Sequence, residues 1–244
     1  MSRFLCDWKE AVRNMRSLRS CKISPATFSF HEGSALKMLL EDCNNNQNST
    51  DCDDELNSYQ EVNRLVKQVR TMKKTFGGRR AFHEQFILVK SDQCREKTDG
   101  LFLSSFEVAY IFNYFRLFVK NPEVSLNILN VIESREKDLK PDDELFQEKK
   151  TVATFLKAVV HRQMLEYEEC IKLFEQVVEA DVNDHFSYLK ANAHYELGLL
   201  HYEVYEDIEE AKRHLKKAKS APNQVSKQMI DHKVTIVMDM IRNK

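Results

Sequence analysis

Apolar residues recur every three or four positions through most of this chain, and the pattern repeats most clearly in its second half. Between residues 151 and 180, two such stripes are separated by the short turn Leu165–Tyr167, and two more stripes follow between residues 185 and 220. A period of 3.6 residues is typical of an amphipathic helix. Each of the two segments therefore predicts a pair of packed helices.

Small residues occupy corresponding places in the two pairs, Ala158 in the first and Gly198 in the second. A glycine in the middle of a helix costs about 1 kcal/mol relative to alanine, so its presence needs a packing reason. We predict that the return helix of the second pair approaches Gly198 too closely for a side chain to fit between them.

Similar stripes predict helices upstream of these pairs. They are expected over 1–20, from Pro25 onward with Ser24 as the N-cap, over 56–75, and from Phe82 onward. The polar segment 42–55, rich in Asn and Asp, cannot bury enough apolar surface to order itself and is predicted to be a disordered loop.

The segment Phe102–Val119 is the most apolar of the chain, and it is hydrophobic nearly all round, which predicts a buried helix. Glu107 and Arg116 argue against a membrane span, since a charge at the bilayer centre costs about 2.5–3.5 kcal/mol. Together with the stripe that follows Pro122, this helix is predicted to form a further hairpin over 104–137.

A final stripe predicts a helix over 223–242, which we expect to cap the last repeat. The chain of 244 residues contains only 5 glycines and 4 prolines, and this scarcity of helix breakers favours helix throughout. The predicted fold is therefore all-α: an α–α superhelix of helical hairpins, with N-terminal hairpins over 1–100 and repeats over 101–244.

Charge and cysteine content narrow the classes of function. Lys plus Arg number 37 and Asp plus Glu number 38, a net charge of −1, whereas binding to a phosphate backbone needs clustered positive charge. We therefore expect no nucleic-acid partner. The six cysteines include no Cys-x-x-Cys pair, and the sequence opens with no recognisable signal peptide. We expect reduced thiols and a cytoplasmic location.

The second pair resembles the tetratricopeptide repeat (TPR), in which small and aromatic residues recur at set places. The matching residues are Leu197, Gly198, Tyr202, Ala211, Ala218 and Pro222, with Phe155, Ala158, Tyr167 and Phe174 in the first pair. Cys170 stands where the repeat usually has a small residue. The resemblance implies a TPR-like solenoid in which the first helix of each pair lines the concave side.

A longer series of motifs extends over nearly the whole chain. It consists of Trp8–Ala11, Phe76–Arg80, Glu84–Phe86, Glu107–Asn113, Leu156–Ala158, Asp184–His185 and Glu196–Gly198. In this order the motifs resemble the C-terminal part of the tetratricopeptide repeat protein 39 family, which is related to fungal inclusion body clearance proteins. The resemblance implies a non-enzymatic adaptor or scaffold, linked to protein-inclusion clearance or lipid homeostasis.

Two groups of residues suggest chemistry, and neither has a convincing arrangement. His194 and His201 are two helical turns apart, whereas zinc ligands on one helix are expected three or four positions apart. His161 and Cys170 could imitate a base and a nucleophile, but Cys170 occupies a core position of the repeat. We predict no catalytic residue, no cofactor and no metal.

Two basic segments are candidates for surface contacts. The amides of Gly77 and Gly78 with the side chains of Arg79 and Arg80 could contact an anion, although a glycine pair more often marks a turn. The run Arg213–Lys219 lies near the end of a predicted helix, where cations complement the helix dipole. Its alternative role is contact with a membrane or lipid-droplet surface.

The favoured function is a scaffold or adaptor that binds a protein partner on the concave side. The residues predicted to project there are Val159, Arg162, Gln163, Asn192, Glu196, Leu199 and Glu203. Polar groups around apolar anchors can recognise a peptide or a partner helix. Packing within the chain is the alternative for each residue. The alternative function is a peripheral membrane or lipid-droplet-associated protein.

Overall fold

The structure, a computed structural model, describes residues 6–19, 24–45, 55–72, 82–94, 101–118, 121–223 and 225–243. All regular structure within these residues is helical, which confirms the all-α prediction. The α-helices are α1 (Trp8–Ser17), α2 (Pro25–Asn45), α3 (Glu55–Gln68), α4 (Phe82–Gln93), α5 (Ser104–Ile111), α6 (Pro122–Lys137), α7 (Phe146–Gln163), α8 (Tyr167–Glu179), α9 (Tyr188–Glu203), α10 (Ile208–Ser220) and α11 (Lys227–Arg242). Short 3-10 helices lie at Tyr114–Phe118 and Asp184–Phe186.

The helices form two compact units, Met1–Tyr114 and Phe115–Lys244. The sequence analysis predicted a domain boundary between residues 100 and 101, and this boundary remains a prediction. The repeat expected over 104–137 is divided between the units, because α5 belongs to the first and α6 to the second. Periodicity could not reveal this division, since it reports that a segment is helical and not which neighbour it packs against.

Helix α2 is the centre of the first unit and packs against α1, α3, α4 and α5. It begins at the predicted Pro25, where a proline suits the first helical position because an N–H there has no partner within the helix. Trp8 packs edge-on against Phe106, with ring centroids 5.6 Å apart. The buried carboxylate of Glu32 accepts hydrogen bonds from Arg19, with 2.7 Å between Nη2 and Oε1.

The predicted loop over 42–55 is wrong at its start. Helix α2 continues to Asn45, so its last turns include residues that the polar composition assigned to the loop. Residues 46–54 lie outside the described residues. Composition underestimated the helix because its N-terminal part, anchored in the core of the unit, extends the hydrogen-bonded ladder into a polar stretch.

The continuous helix expected over Phe102–Val119 is also wrong. Helix α5 ends at Ile111, and a 3-10 helix begins at Tyr114. Between them Asn113 has a φ of 61°, in the left-handed region. Asparagine enters this region more readily than most residues, so it can turn the chain where an apolar stripe alone predicts an unbroken helix.

In the second unit both predicted helical pairs form: α7 packs against α8, and α9 packs against α10. The turns within the pairs each contain a residue in the left-handed region, Leu165 with φ 64° and Glu206 with φ 55°. Helix α7 begins at Phe146, earlier than expected, after Asp143 accepts a hydrogen bond of 2.8 Å from the Leu145 N–H. Helix α8 also packs against α9, which joins the two pairs.

Helix α11 packs against both α9 and α10, as expected for a cap on the last pair. Its buried stripe of Ile230, Val234, Val237 and Ile241 forms one hydrophobic cluster with residues of the second pair. The close approach predicted at Gly198 is confirmed, since a Cβ atom there would lie 2.8 Å from Leu215 Cγ of α10.

Candidate binding face on helices α7, α9 and α11

Three of the seven residues predicted to meet a partner come together as an ion-paired group. Arg162, in the last turn of α7, donates a hydrogen bond from Nη1 to the Glu196 carboxylate of α9. Its Nη2 donates to Glu203 Oε2 at a distance of 2.8 Å. Glu196 and Glu203 are two turns apart on α9 and therefore share one side of that helix. The guanidinium thus bridges the first helices of the two pairs.

The other four predicted contact residues are buried inside the unit. Val159, Gln163, Asn192 and Leu199 have at most 9 % of their surface exposed. Asn192 donates hydrogen bonds to the Tyr188 carbonyl at 2.8 Å and to Ser226 Oγ at 3.2 Å. These contacts hold the chain together, and whether any of the four also meets a partner remains a prediction.

Sequence reasoning missed two residues that lie beside the ion-paired group. The ammonium of Lys233, on α11, lies 5.2 Å from the centroid of the buried Tyr195 ring of α9, a cation–π distance. The sequence analysis assigned α11 only a capping role, so it did not single out Lys233. We call Arg162, Tyr195, Glu196, Glu203 and Lys233 the charged face.

The electrostatics of the charged face make Lys233 easier to deprotonate than an exposed lysine. Burial, followed by the positive charges of Arg116 and Arg162, lowers the pKa of Lys233 to about 8. Burial also raises the pKa of the Tyr195 hydroxyl. Three cations face two carboxylates, Glu196 and Glu203, so the group with Arg116 carries a formal charge of 3 − 2 = +1 when Lys233 is protonated.

We expect Lys233 to titrate near pH 8 in the folded protein, as measured by NMR of its reductively dimethylated side chain. Its folded pKa lies below the ordinary value of 10.5, so the unfolded chain binds the proton more tightly between about pH 8 and 10.5. Stability should therefore rise with pH in that window, relative to a Lys233→Met variant. The same variant identifies the resonance by its loss. A midpoint at the ordinary value would contradict the burial of the ammonium.

Exposed apolar side chains lie on the same side of α11 as Lys233. Ile236 and Met240 follow it by three and seven positions, a spacing that places all three on one side of a helix. Ile236 is 48 % exposed and Met240 is 51 % exposed. The charged face is therefore continued along α11 by two large apolar side chains that no neighbouring helix covers within the described residues.

The two basic segments singled out in the sequence stay predictions as contact sites. Arg79 and Arg80 lie outside the described residues, so the anion contact remains a prediction. In the basic run, Arg213 donates a hydrogen bond of 2.6 Å from Nε to Glu210 Oε2. Contact of this run with a membrane surface also remains a prediction. None of the described helices is long and apolar enough to cross a membrane.

The alternative of a cysteine nucleophile has no support in the local electrostatics. Burial raises the pKa of the Cys170 thiol to about 12, although the nearby charge of Arg162 opposes the shift. A thiol of this kind stays protonated at neutral pH and is a poor nucleophile. His161, the suggested base, pairs through Nδ1 with the Glu166 carboxylate at 2.5 Å.

The family model of Iml2/Tetratricopeptide repeat protein 39 matches residues 1–164. This chain belongs to that family. Membership confirms the resemblance seen in the sequence motifs and agrees with an all-α, TPR-like superhelical fold. No solved structure matches the chain.

The family match covers the first unit, α6 and α7, and it ends at Met164. Arg162 of the charged face lies within the residues that the Iml2/Tetratricopeptide repeat protein 39 family model matches. Glu196, Glu203 and Lys233 lie beyond them. The charged face therefore joins a helix that the family model matches to helices that it does not match, so its chemistry is argued from the geometry of this chain.

Proposed function

We propose that this protein is a non-catalytic, TPR-like scaffold that binds an amphipathic protein segment along the charged face. The observation that carries the proposal is the bridge from Arg162 to Glu196 and Glu203, beside the exposed Ile236 and Met240. Helical partners are typically recognised by apolar anchors with polar groups around them. The charged face and the neighbouring side chains of Ile236 and Met240 together offer both kinds of group from one set of packed helices.

Order in the free protein supports a binding role. The side chains of Arg162 and Glu196 are only 14 % and 9 % exposed, and each is held by the other. A face whose side chains are already immobilised loses little conformational entropy when a partner binds. The carboxylate of Glu203, 45 % exposed, remains accessible to a cation on the incoming segment.

The protonated state of Cys170 supports a role without catalysis. The sequence suggested Cys170 as a nucleophile with His161 as its base. Because the pKa of the thiol is raised, the thiol stays protonated and is poorly suited to that role. The groups of the charged face that remain are suited to recognition, because paired ions and apolar side chains bind without breaking a bond.

The binding test uses two face variants of the full chain. We expect Ile236→Asp/Met240→Asp to lose the partners captured by the immobilised protein, because carboxylates replace both exposed anchors. The swapped pair Arg162→Glu/Glu196→Arg keeps opposite charges together but reverses their positions, so it should also lose partners. Captured proteins are compared quantitatively by mass spectrometry, and circular dichroism establishes that each variant is folded.

A matched control reverses an exposed ion pair on α8. Lys172 Nζ lies 3.6 Å from Glu169, and the two side chains are 64 % and 50 % exposed. The Lys172→Glu/Glu169→Lys variant should retain every partner that the unmodified protein captures. If both face variants retain them as well, the charged face is not the binding surface.

A further inference from the structure

Three histidines from two helices meet at the end of the second pair. His194 and His201 lie on α9, and His214 lies on α10. The ring of His214 is stacked on that of His201, with centroids 5.5 Å apart and 13° between the planes. Its centroid lies 5.3 Å from that of His194. Glu210, one turn before His214 on α10, places its carboxylate 3.9 Å from His214 Nε2.

The hydrogen bonds fix the tautomer of His214. Its Nε2 lies 3.3 Å from the guanidinium of Arg213, which can only donate, so this nitrogen carries a lone pair. The proton is therefore on Nδ1, which donates to Nδ1 of His194 at 3.1 Å. His194 thus holds the ring in the tautomer that presents the Nε2 lone pair to Glu210. Metal-binding histidines are commonly oriented in this way by a second group on the other nitrogen.

One nitrogen of His201, one of His214 and a carboxylate oxygen of Glu210 lie within 4.8 Å of one another. Tetrahedral ligands at about 2.0–2.2 Å from a zinc ion are roughly 3.4 Å apart, so small side-chain movements bring the three atoms to ligand distance. We propose that His201, Glu210 and His214 bind a divalent transition-metal ion of the Zn²⁺ class. Two histidines and one carboxylate are a recurrent zinc-ligand set that leaves a position for water.

A further observation points to a ligand at this place. The Nδ1 atom of His201 is buried and makes no hydrogen bond. Buried polar atoms are almost always paired, so an unpaired one calls for an explanation such as a bound ion.

A metal ion has access to the site from solvent. The Glu210 side chain is 37 % exposed, and a surface cleft lined by Glu168, Ile171, Lys172 and Tyr205 reaches His201. Arg213 is the competing cation, because its guanidinium pairs with Glu210. Binding would exchange this surface ion pair for metal bonds that link α9 to α10. The bound ion would therefore hold the two helices of the second pair together.

The test is isothermal titration of the metal-stripped full chain with ZnCl₂ at pH 7.5. We expect saturation at one ion per chain, and at least a tenfold weaker affinity in each of two variants, His201→Gln and Glu210→Gln. Both changes are made at partly exposed positions, so the fold should survive, as circular dichroism would establish. Arg213→Gln should strengthen binding, because it removes the competing charge and frees Glu210.

The control variant is His232→Gln, at an exposed position of α11, which should bind zinc as the unmodified chain does. Cobalt substitution gives a second readout, since ligation by nitrogen and oxygen lacks the charge-transfer band of a thiolate. The proposal is overturned if the unmodified chain shows no saturable binding, if both ligand variants bind as tightly as it does, or if the cobalt spectrum shows thiolate ligation.

Discussion

Replacing Glu107 by alanine is expected to destabilise the first unit by about 3–5 kcal/mol, the cost of removing one member of a buried ion pair. Lys90 Nζ of α4 lies 2.9 Å from Glu107 Oε2 of α5, and the two side chains are only 1 % and 2 % exposed. In the variant the buried ammonium of Lys90 must either remain charged without the Glu107 carboxylate or lose its proton. Both outcomes reduce the free energy of unfolding.

The natural probe for this experiment is Trp8, the single tryptophan of the chain. It is buried in the first unit against Phe106, so denaturation followed by its fluorescence reports on that unit. The double variant Lys90→Met/Glu107→Leu should recover most of the lost stability, because apolar residues of similar size often replace a buried ion pair without loss.

An exposed ion pair of the same unit provides the comparison. Arg13 and Glu10 are 3.0 Å apart with side chains 73 % and 39 % exposed, and removing either should change stability by less than about 1 kcal/mol. If Glu107→Ala behaves like this surface pair, or if the apolar double variant is no more stable than the single one, the ion pair does not have the energetic role assigned to it.

This pair illustrates what periodicity can and cannot predict. The apolar run around Glu107 correctly indicated a buried helix, but the carboxylate within it was evidence only against a membrane span. Its partner Lys90 lies on another helix, and no local pattern connects the two. Asn113 shows the same limit for element boundaries, since a single residue in the left-handed region ended a helix that the stripe extended.

The candidate binding face was predictable in part. The sequence assigned Arg162 and Glu196 to the same concave side of the first helices of the two pairs, and the structure brings them together as an ion pair. The sequence did not predict which of these residues are buried. Asn192 is a polar residue, but it is enclosed by hydrogen-bond partners inside the unit. Lys233 was missed, since its position relative to Tyr195 depends on how the final helix packs.

The histidine cluster shows why spacing rules fail across helices. His194 and His201 alone do not have the spacing of ligands on one helix, and the sequence therefore predicted no metal. His214 reaches them from the return helix, and Glu210 comes with it one turn earlier. A set of ligands contributed by two packed helices becomes visible only when the register between them is known.

Gly198→Leu is expected to destabilise the second unit by about 3 kcal/mol or more, because the side chain has no room to enter. The Cβ alone would lie 2.8 Å from Leu215 Cγ and 3.2 Å from the Ala211 carbonyl oxygen, which belongs to the backbone of α10 and cannot rotate away. The larger side chain must force α9 and α10 apart. Thermal unfolding followed by circular dichroism measures the loss.

Gly33 on α2 offers a matched control, because the atoms nearest to a Cβ there are 3.4 Å away, an ordinary contact distance. Gly33→Ala should therefore be neutral or stabilising by up to about 1 kcal/mol, through the better helix propensity of alanine. Gly198→Ala gains the same propensity but meets Leu215, so it should be destabilising. Equal effects of the two alanine substitutions would contradict the close approach of α10, since propensity alone would then explain both.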